Sequence, residues 1–187
     1  MIKGKKIYLE ALSGEHESFM LSLLNDQEIS YYEGKVEQLI SREKQRNWVQ
    51  SSLTSRNHYL IIKSLENNES LGYISFKLTN EISRDGHLAI KLAPGNQGKG
   101  ISVDAVKTVM KHYFYNFNMH RLHGFIIDYN DPSLMLFLGK CHWKKEGVLR
   151  EACYINGKYH DFINVAILKQ EFLAEETDEF YNPDRIK

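Results

Sequence analysis

Residues 94–102 read Pro94-Gly95-Asn96-Gln97-Gly98-Lys99-Gly100-Ile101-Ser102, three glycines set between two very different patterns. Before them, His87-Leu88-Ala89-Ile90-Lys91-Leu92-Ala93 alternates polar and apolar over part of its length; after them, residues 101–117 repeat apolar side chains at helical spacing. Strand, glycine turn and helix in that order make an anion cradle. Successive backbone N–H groups and the positive end of the helix macrodipole hold a phosphate without a specialised side chain. Glycine is required there where φ is positive or a Cβ would block the ligand.

The chain of 187 residues is the size of one domain, with the core expected over residues 5–170 and a tail over 171–187. No apolar run approaches the ~18 residues of a membrane span, and Met1-Ile2-Lys3-Gly4-Lys5-Lys6 leads into no signal-peptide core, so a cytoplasmic protein is expected. Lys and Arg total 24 against 24 Asp and Glu, a balance that advertises neither nucleic acid nor an anionic membrane as partner. Phosphate recognition must therefore be local. Cys141 and Cys153 form no Cys-x-x-Cys pair and read as small buried hydrophobes.

Residues 6–12 read as a first strand, and Ser13 as the cap of a helix to about residue 25 that buries Phe19, Met20, Leu23 and Leu24. Residues 26–40, with Tyr31, Tyr32 and Gly34, read as a loop or broken helix; Ser41 caps a helix over 42–55 whose Trp48 and Leu53 face inward. Strands over 58–65, 71–79 and 87–93, separated by polar turns, form an antiparallel meander that runs into the glycine turn. After the long helix come a strand over 121–129, a short helix begun by Asp131-Pro132-Ser133, and a hairpin turning at Asn156-Gly157 between 148–155 and 158–168. The acidic run Glu175-Glu176-Thr177-Asp178-Glu179 reads as a solvated end that packs on the body or on a partner.

Two familiar phosphate motifs do not fit. A dinucleotide fingerprint requires Gly-x-Gly-x-x-Gly opening a βαβ series, whereas the order here is Gly95-x-x-Gly98-x-Gly100 behind a meander. A P-loop requires a hydroxyl after its lysine, and Gly100 follows Lys99. Gln97-Gly98-Lys99-Gly100-Ile101-Ser102 instead resembles the Gln/Arg-x-x-Gly-x-Gly/Ala motif of the GNAT acetyltransferase superfamily, departing from it at Ser102. The order of elements matches over roughly 5–170, and Lys145-Glu146-Gly147-Val148-Leu149-Arg150 with Asn156-Gly157-Lys158-Tyr159-His160-Asp161 resembles the branch of ribosomal-protein N-terminal and spermidine N-acetyltransferases. The resemblance implies an α/β (α+β) fold: a mixed, mostly antiparallel sheet of about seven strands, splayed at the cofactor site and flanked by about four helices.

It also implies acetyl-CoA as co-substrate, and acetyl transfer to an amine acceptor: a protein N-terminus, a polyamine or a small-molecule amine. The chemistry requires an oriented thioester, donors for the carbonyl oxygen, and removal of a proton from an amine that is mostly protonated at neutral pH. By resemblance the amides of Gln97, Gly98, Lys99, Gly100, Ile101 and Ser102 face the pyrophosphate, and the backbone of Ile90, Lys91 and Leu92 pairs with the pantetheine arm. Asn130 matches the family's cofactor-contacting Asn; an Asn that ends a strand through local hydrogen bonds is its other reading.

His87 stands where relatives often place a Glu and is the leading base, with Asp85 a weaker substitute. Ser133 corresponds to a serine proposed as acid beside the cofactor, with helix capping the competing role. The usual Tyr position is Phe137, which has no proton to give, and a family Glu position is Cys153. The run Phe137-Leu138-Gly139-Lys140-Cys141-His142-Trp143 is one residue longer than its counterparts, so the helix end is expected to be reshaped. Tyr31 and Tyr32 are candidate acceptor-pocket residues, and a homodimer through the hairpin or tail is an open expectation.

His112, His120 and His123 carry no metal-ligand spacing with an acid, so no metal is expected. A noncatalytic acyl-CoA-binding or regulatory protein that has lost acid and base is the alternative reading.

Overall fold

The computed structural model describes residues 1–35 and 39–175. Eight strands, β1 Ile2–Lys3, β2 Ile7–Ala11, β3 His58–Ser64, β4 Ser70–Asn80, β5 Asp85–Leu92, β6 Arg121–Ile127, β7 Lys144–Ile155 and β8 Lys158–Leu168, join in the order β1-β2-β3-β4-β5-β6-β8-β7. Their helical partners are α1 Glu17–Leu24, α2 Gln27–Tyr32, α3 Arg42–Leu53, α4 Ile101–Asn116, α5 Asp131–Leu134 and α6 Lys169–Glu175. Every pairing is antiparallel except β5 with β6, so the sheet is mixed and mostly antiparallel as the sequence predicts. None of these helices is long and apolar enough to cross a membrane.

Counts of strands and helices exceed the expectation because short elements carry little periodicity. The extra strand β1 exists because of a distant carboxylate: Asp104, in the first turn of α4, accepts the amides of Lys5 at 3.0 Å, Lys6 at 2.6 Å and Ile7 at 3.2 Å. That bolts the β1–β2 turn onto the helix that follows the glycine turn. Within residues 26–40, Asp26 caps α2 through the Ile29 amide at 2.9 Å; positions 36–38 of that segment lie outside the described residues. The C-terminal end of the body is tied in as well. Phe172 of α6 packs on Phe114 at 5.3 Å and Glu175 reaches His142 at 3.6 Å, while the remainder of the acidic run lies outside the described residues.

One core lies between the sheet and α4, which buries Ala105, Val106, Val109, Met110, Tyr113 and Phe114; each large side chain so placed contributes about 2 kcal/mol. A smaller core under α1 joins Leu12, Met20, Leu23, Ile61 and Tyr73 on the opposite face. Ser41 caps α3 as predicted, through the Lys44 amide. Its buried stripe, however, is Gln45, Val49 and Ser52, so Leu53 is 47% exposed instead of facing inward. Asn156 and Gly157 both have positive φ, 49° and 80°, the geometry of the type I′ turn expected there.

Two departures from regularity shape the site. The lengthened run after α5 folds as a π-helix over Met135–Lys140, closed by the Cys141 amide on Leu136 O at 2.9 Å, so one surplus residue is absorbed as a wider turn. And β5 pairs with β6 only from Asp85↔Arg121 to His87↔His123, whereas its pairing with β4 continues to Gly72↔Leu92. Beyond His87 the two central strands part.

Candidate active site

At the end of β5 the glycine turn presents unpaired donors. Gly95, Gly98 and Gly100 have φ of 81°, 75° and 77°; a Cβ on Gly95 or Gly98 would meet nothing within 4 Å, so conformation and not space demands glycine. Gly100 caps α4 without a side-chain bond, and the amides of Gln97 to Ser102 donate to no acceptor among the described residues. Lys6 Nζ donates to Lys99 O at 2.9 Å and adds a cation beside the turn. The donor set and the dipole of a 16-residue helix fit a phosphate group.

The splay is lined by alternating backbone. The Ala93 amide bonds Leu71 O at 2.8 Å, and antiparallel alternation then turns the main chain of Lys91 and Ala89 toward β4 and that of Leu88, Ile90 and Leu92 toward the gap. A Cβ built on Gly124 would lie 3.1 Å from Leu88 O, which shows how closely β6 approaches at the mouth. On the far wall the Asp128 amide bonds Asp161 O, so by the same alternation Phe125 and Ile127 face the gap. An extended chain bearing amides fits this slot. Of the three residues expected to serve it, Ile90 and Leu92 point into it; Lys91 spends its backbone on β4 and sends its side chain to the opposite face.

Asn130, past the end of β6, accepts the Ser133 amide at 3.0 Å and donates to Tyr32 O at 2.9 Å. It thus caps α5 and ties it to α2. The half-buried Ser133 hydroxyl donates to no acceptor among the described residues. Phe137 is buried against Trp143 at 4.7 Å between ring centres. Cys153 donates to Gly34 O at 2.9 Å, and burial followed by the nearby Asp128 charge raises its thiol pKa.

His87 sits where the strands diverge. Burial, then electrostatic interaction with His123 and with Lys77, lower its pKa from 6.5, opposed by Asp85. Its ring stands 5.4 Å from that of His123, whose Nδ1 is 3.1 Å from Asp85 Oδ1. Asp85 also accepts Arg121 Nη1 at 2.6 Å and the Thr79 hydroxyl at 2.9 Å. Burial alone would raise the Asp85 pKa, but these hydrogen bonds from Arg121, Thr79 and His123 bring it below its ordinary value. So engaged, Asp85 serves His123 and Arg121, and Arg121 bridges on to Glu146. Sequence reasoning weighed His123 only as a metal ligand; the parallel pairing of β5 and β6, invisible locally, sets it beside His87. His112 instead lies against Asn116 at 3.0 Å, and among the described residues no group of three or more His, Cys, Asp or Glu is placed to hold a metal ion.

On the α1–α3 side of β5 a cavity of about 400 Å³ is lined by His87, Ala89 and Lys91, by Tyr59, Tyr73 and Ser75, and by Glu33, Lys35, Lys44, Gln45 and Trp48. Lys91 Nζ lies 2.6 Å from Glu33 and 5.2 Å above the Tyr73 ring. Tyr31 and Tyr32 are not in this lining: Tyr31 stacks on Tyr129 at 4.6 Å, and the Tyr129 hydroxyl donates to Tyr31 O at 2.6 Å, by the gap's α5 end.

The sequence profile of the acetyltransferase (GNAT) domain matches residues 6–139. The chain belongs to this family. Spermidine N(1)-acetyltransferase of Vibrio cholerae is 28% identical to this GNAT domain over 103 residues, 55% of the chain and 59% of that protein, so the match spans about three fifths of the relative. "Probable N-acetyltransferase YjcK" of Bacillus subtilis is 26% identical over 180 residues, 91% of this chain and 98% of that one. The crystal structure of spermidine N-acetyltransferase from Vibrio cholerae with CoA and spermine superimposes with a TM-score of 0.83 over 90% of this chain and 98% of that one. At 22% identity that likeness is one of fold.

Proposed function

We propose that this GNAT domain is an N-acetyltransferase that moves an acetyl group from acetyl-CoA to a primary amine by direct attack in a ternary complex. One observation carries the reading: β5 runs past the splay directly into the glycine turn, so an amide-lined slot, a phosphate cradle and the His87 cavity lie along a single strand. Cradle amides of Gln97 to Ser102 hold the pyrophosphate, and the Leu88, Ile90 and Leu92 main chain holds the pantetheine. The thioester is thereby brought to the mouth of the gap near His87. Relatives named for acetylating spermidine support an amine as acceptor.

His87, whose pKa burial lowers, accepts a proton from the substrate ammonium directly or through water, which frees the nitrogen lone pair for attack. The amine nitrogen then forms its bond to the carbonyl carbon as the C–S bond breaks. Ser133, with its hydroxyl uncommitted, supplies a proton to the departing thiolate and is restored by the second proton that the nitrogen sheds as the amide forms; a thiol with pKa near 8.5 needs little such help. Phe137 takes no part, being in the core. The buried Phe137 is also what favours the second reading, a protein that binds acyl-CoA without turnover.

Thiol release from acetyl-CoA in the presence of an amine panel tests the proposal. Amine-dependent release is expected, lowered about tenfold or more in kcat by His87→Gln and less by Ser133→Ala. Tight acetyl-CoA binding by calorimetry with no release would instead support the noncatalytic reading.

A further inference from the structure

We infer that the acceptor amine carries an anionic oxygen group, a carboxylate or a phosphate, seated in the cavity beside Lys91, Lys44 and Gln45. The inference rests on the N-acetyltransferase reading for the reaction, but its charge argument comes from the cavity alone. Lys35, Lys44 and Lys91 face it against a single carboxylate among the described lining residues, Glu33. That carboxylate is already shared, with Lys91 Nζ at 2.6 Å on one oxygen and Lys35 Nζ at 3.4 Å on the other. A polyamine brings two or more positive charges and needs carboxylates to receive them as water is stripped away. Here it would find ammonium groups.

The polar atoms ask for an oxygen. Gln45 is 1% exposed and its side-chain nitrogen has no hydrogen-bond partner among the described residues, a buried donor that an acceptor would satisfy. The Lys91 side chain is only 9% exposed, and its ammonium has three N–H donors, of which Glu33 does not use all. Lys44 stands exposed on the first turn of α3, at the cavity rim, where it meets a charged group on entry. One anionic group contacting these residues satisfies the buried donors and offsets the positive surplus of the described lining residues. The amine at the other end of the same molecule then lies toward His87, which lines the same cavity.

The test uses acceptors alike in their amine and opposite at the far end: 4-aminobutyrate and 2-aminoethyl phosphate against 1,4-diaminobutane and spermidine, with the full chain and acetyl-CoA, followed by thiol release. The carboxylate or phosphate amines are expected to have kcat/KM at least about tenfold higher, and which of the two leads identifies the anionic group. Lys44→Glu is expected to raise their KM about tenfold with kcat and acetyl-CoA affinity little changed. Preference for 1,4-diaminobutane or spermidine, or an unchanged KM in Lys44→Glu, would overturn the inference. Calorimetry of the same amines on CoA-saturated protein reads the preference without turnover. Selective binding of the anionic amines with no thiol release would therefore sustain this inference while the catalytic reading fails.

Discussion

Lys91 Nζ lies 2.6 Å from Glu33 Oε1, joining the strand that edges the splay to the segment just after α2. Both side chains are mostly shielded from water, so removing one leaves the other's charge poorly compensated. We expect Glu33→Gln to destabilise the fold by about 2 kcal/mol, and Glu33→Gln with Lys91→Met together to cost less than the two single changes summed. Urea denaturation of the four proteins checks this; strict additivity would mean that the pair is not coupled.

Gly98→Ala and Gly34→Ala separate two demands for glycine. Gly98 has φ of 75° and open space around it, so alanine there costs about 1 kcal/mol of backbone strain and weakens acetyl-CoA binding. Gly34 has φ of 68°, and its Cβ would lie 2.6 Å from Ile127 and 2.9 Å from Cys153. Its alanine variant should be the less stable of the two by about 1–2 kcal/mol in thermal or urea melts.

His58, His87 and His112 all have pKa values lowered from 6.5, chiefly by burial. The unfolded chain binds protons more readily at these positions than the folded one. Stability should hold above 6.5 and fall as pH drops through the lower folded-state values. Denaturation series at about pH 5 to 8 should show that slope, shallower in His87→Gln. In kcat/KM, the His87 base should give an acid limb whose apparent pKa lies below 6.5.

Asn130→Ala removes the cap of α5 and the tether to Tyr32 in one step. A loss of about 1–2 kcal/mol is expected, with faster amide exchange over residues 31–35, because the α2 end loses its hold on α5. Exchange unchanged over those residues would show that Tyr129 alone secures the segment.

Where sequence and structure agree, the signal is local. The glycine turn, the meander, the Asn156-Gly157 hairpin and the Ser41 cap each depend on residues a few positions apart, and each was legible. What escaped depends on distant partners. β1 needs Asp104 from about a hundred positions away, and the His87–His123–Asp85 array needs a parallel pairing. On α3, Trp48 packs on the smaller core as expected, whereas Leu53 does not face inward because polar Gln45 and Ser52 occupy the buried stripe that hydrophobicity assigns to it. Tyr31 and Tyr32 sit by the gap and not in the cavity because Tyr129, after β6, draws Tyr31 onto its ring. The surplus residue after α5 was visible; its resolution as a π-helix was not.

The central claim is transfer of the acetyl group to an amine without an acetylated protein in between. Incubation with radiolabelled acetyl-CoA and a mixed amine panel, with product, protein and free thiol followed together, tests it most directly. We predict label in an N-acetylated amine, one thiol released per acetyl group transferred, and initial-rate lines that intersect when both substrates are varied. Label retained on the protein with parallel lines, or no labelled amine above the protein-free reaction, would contradict the account.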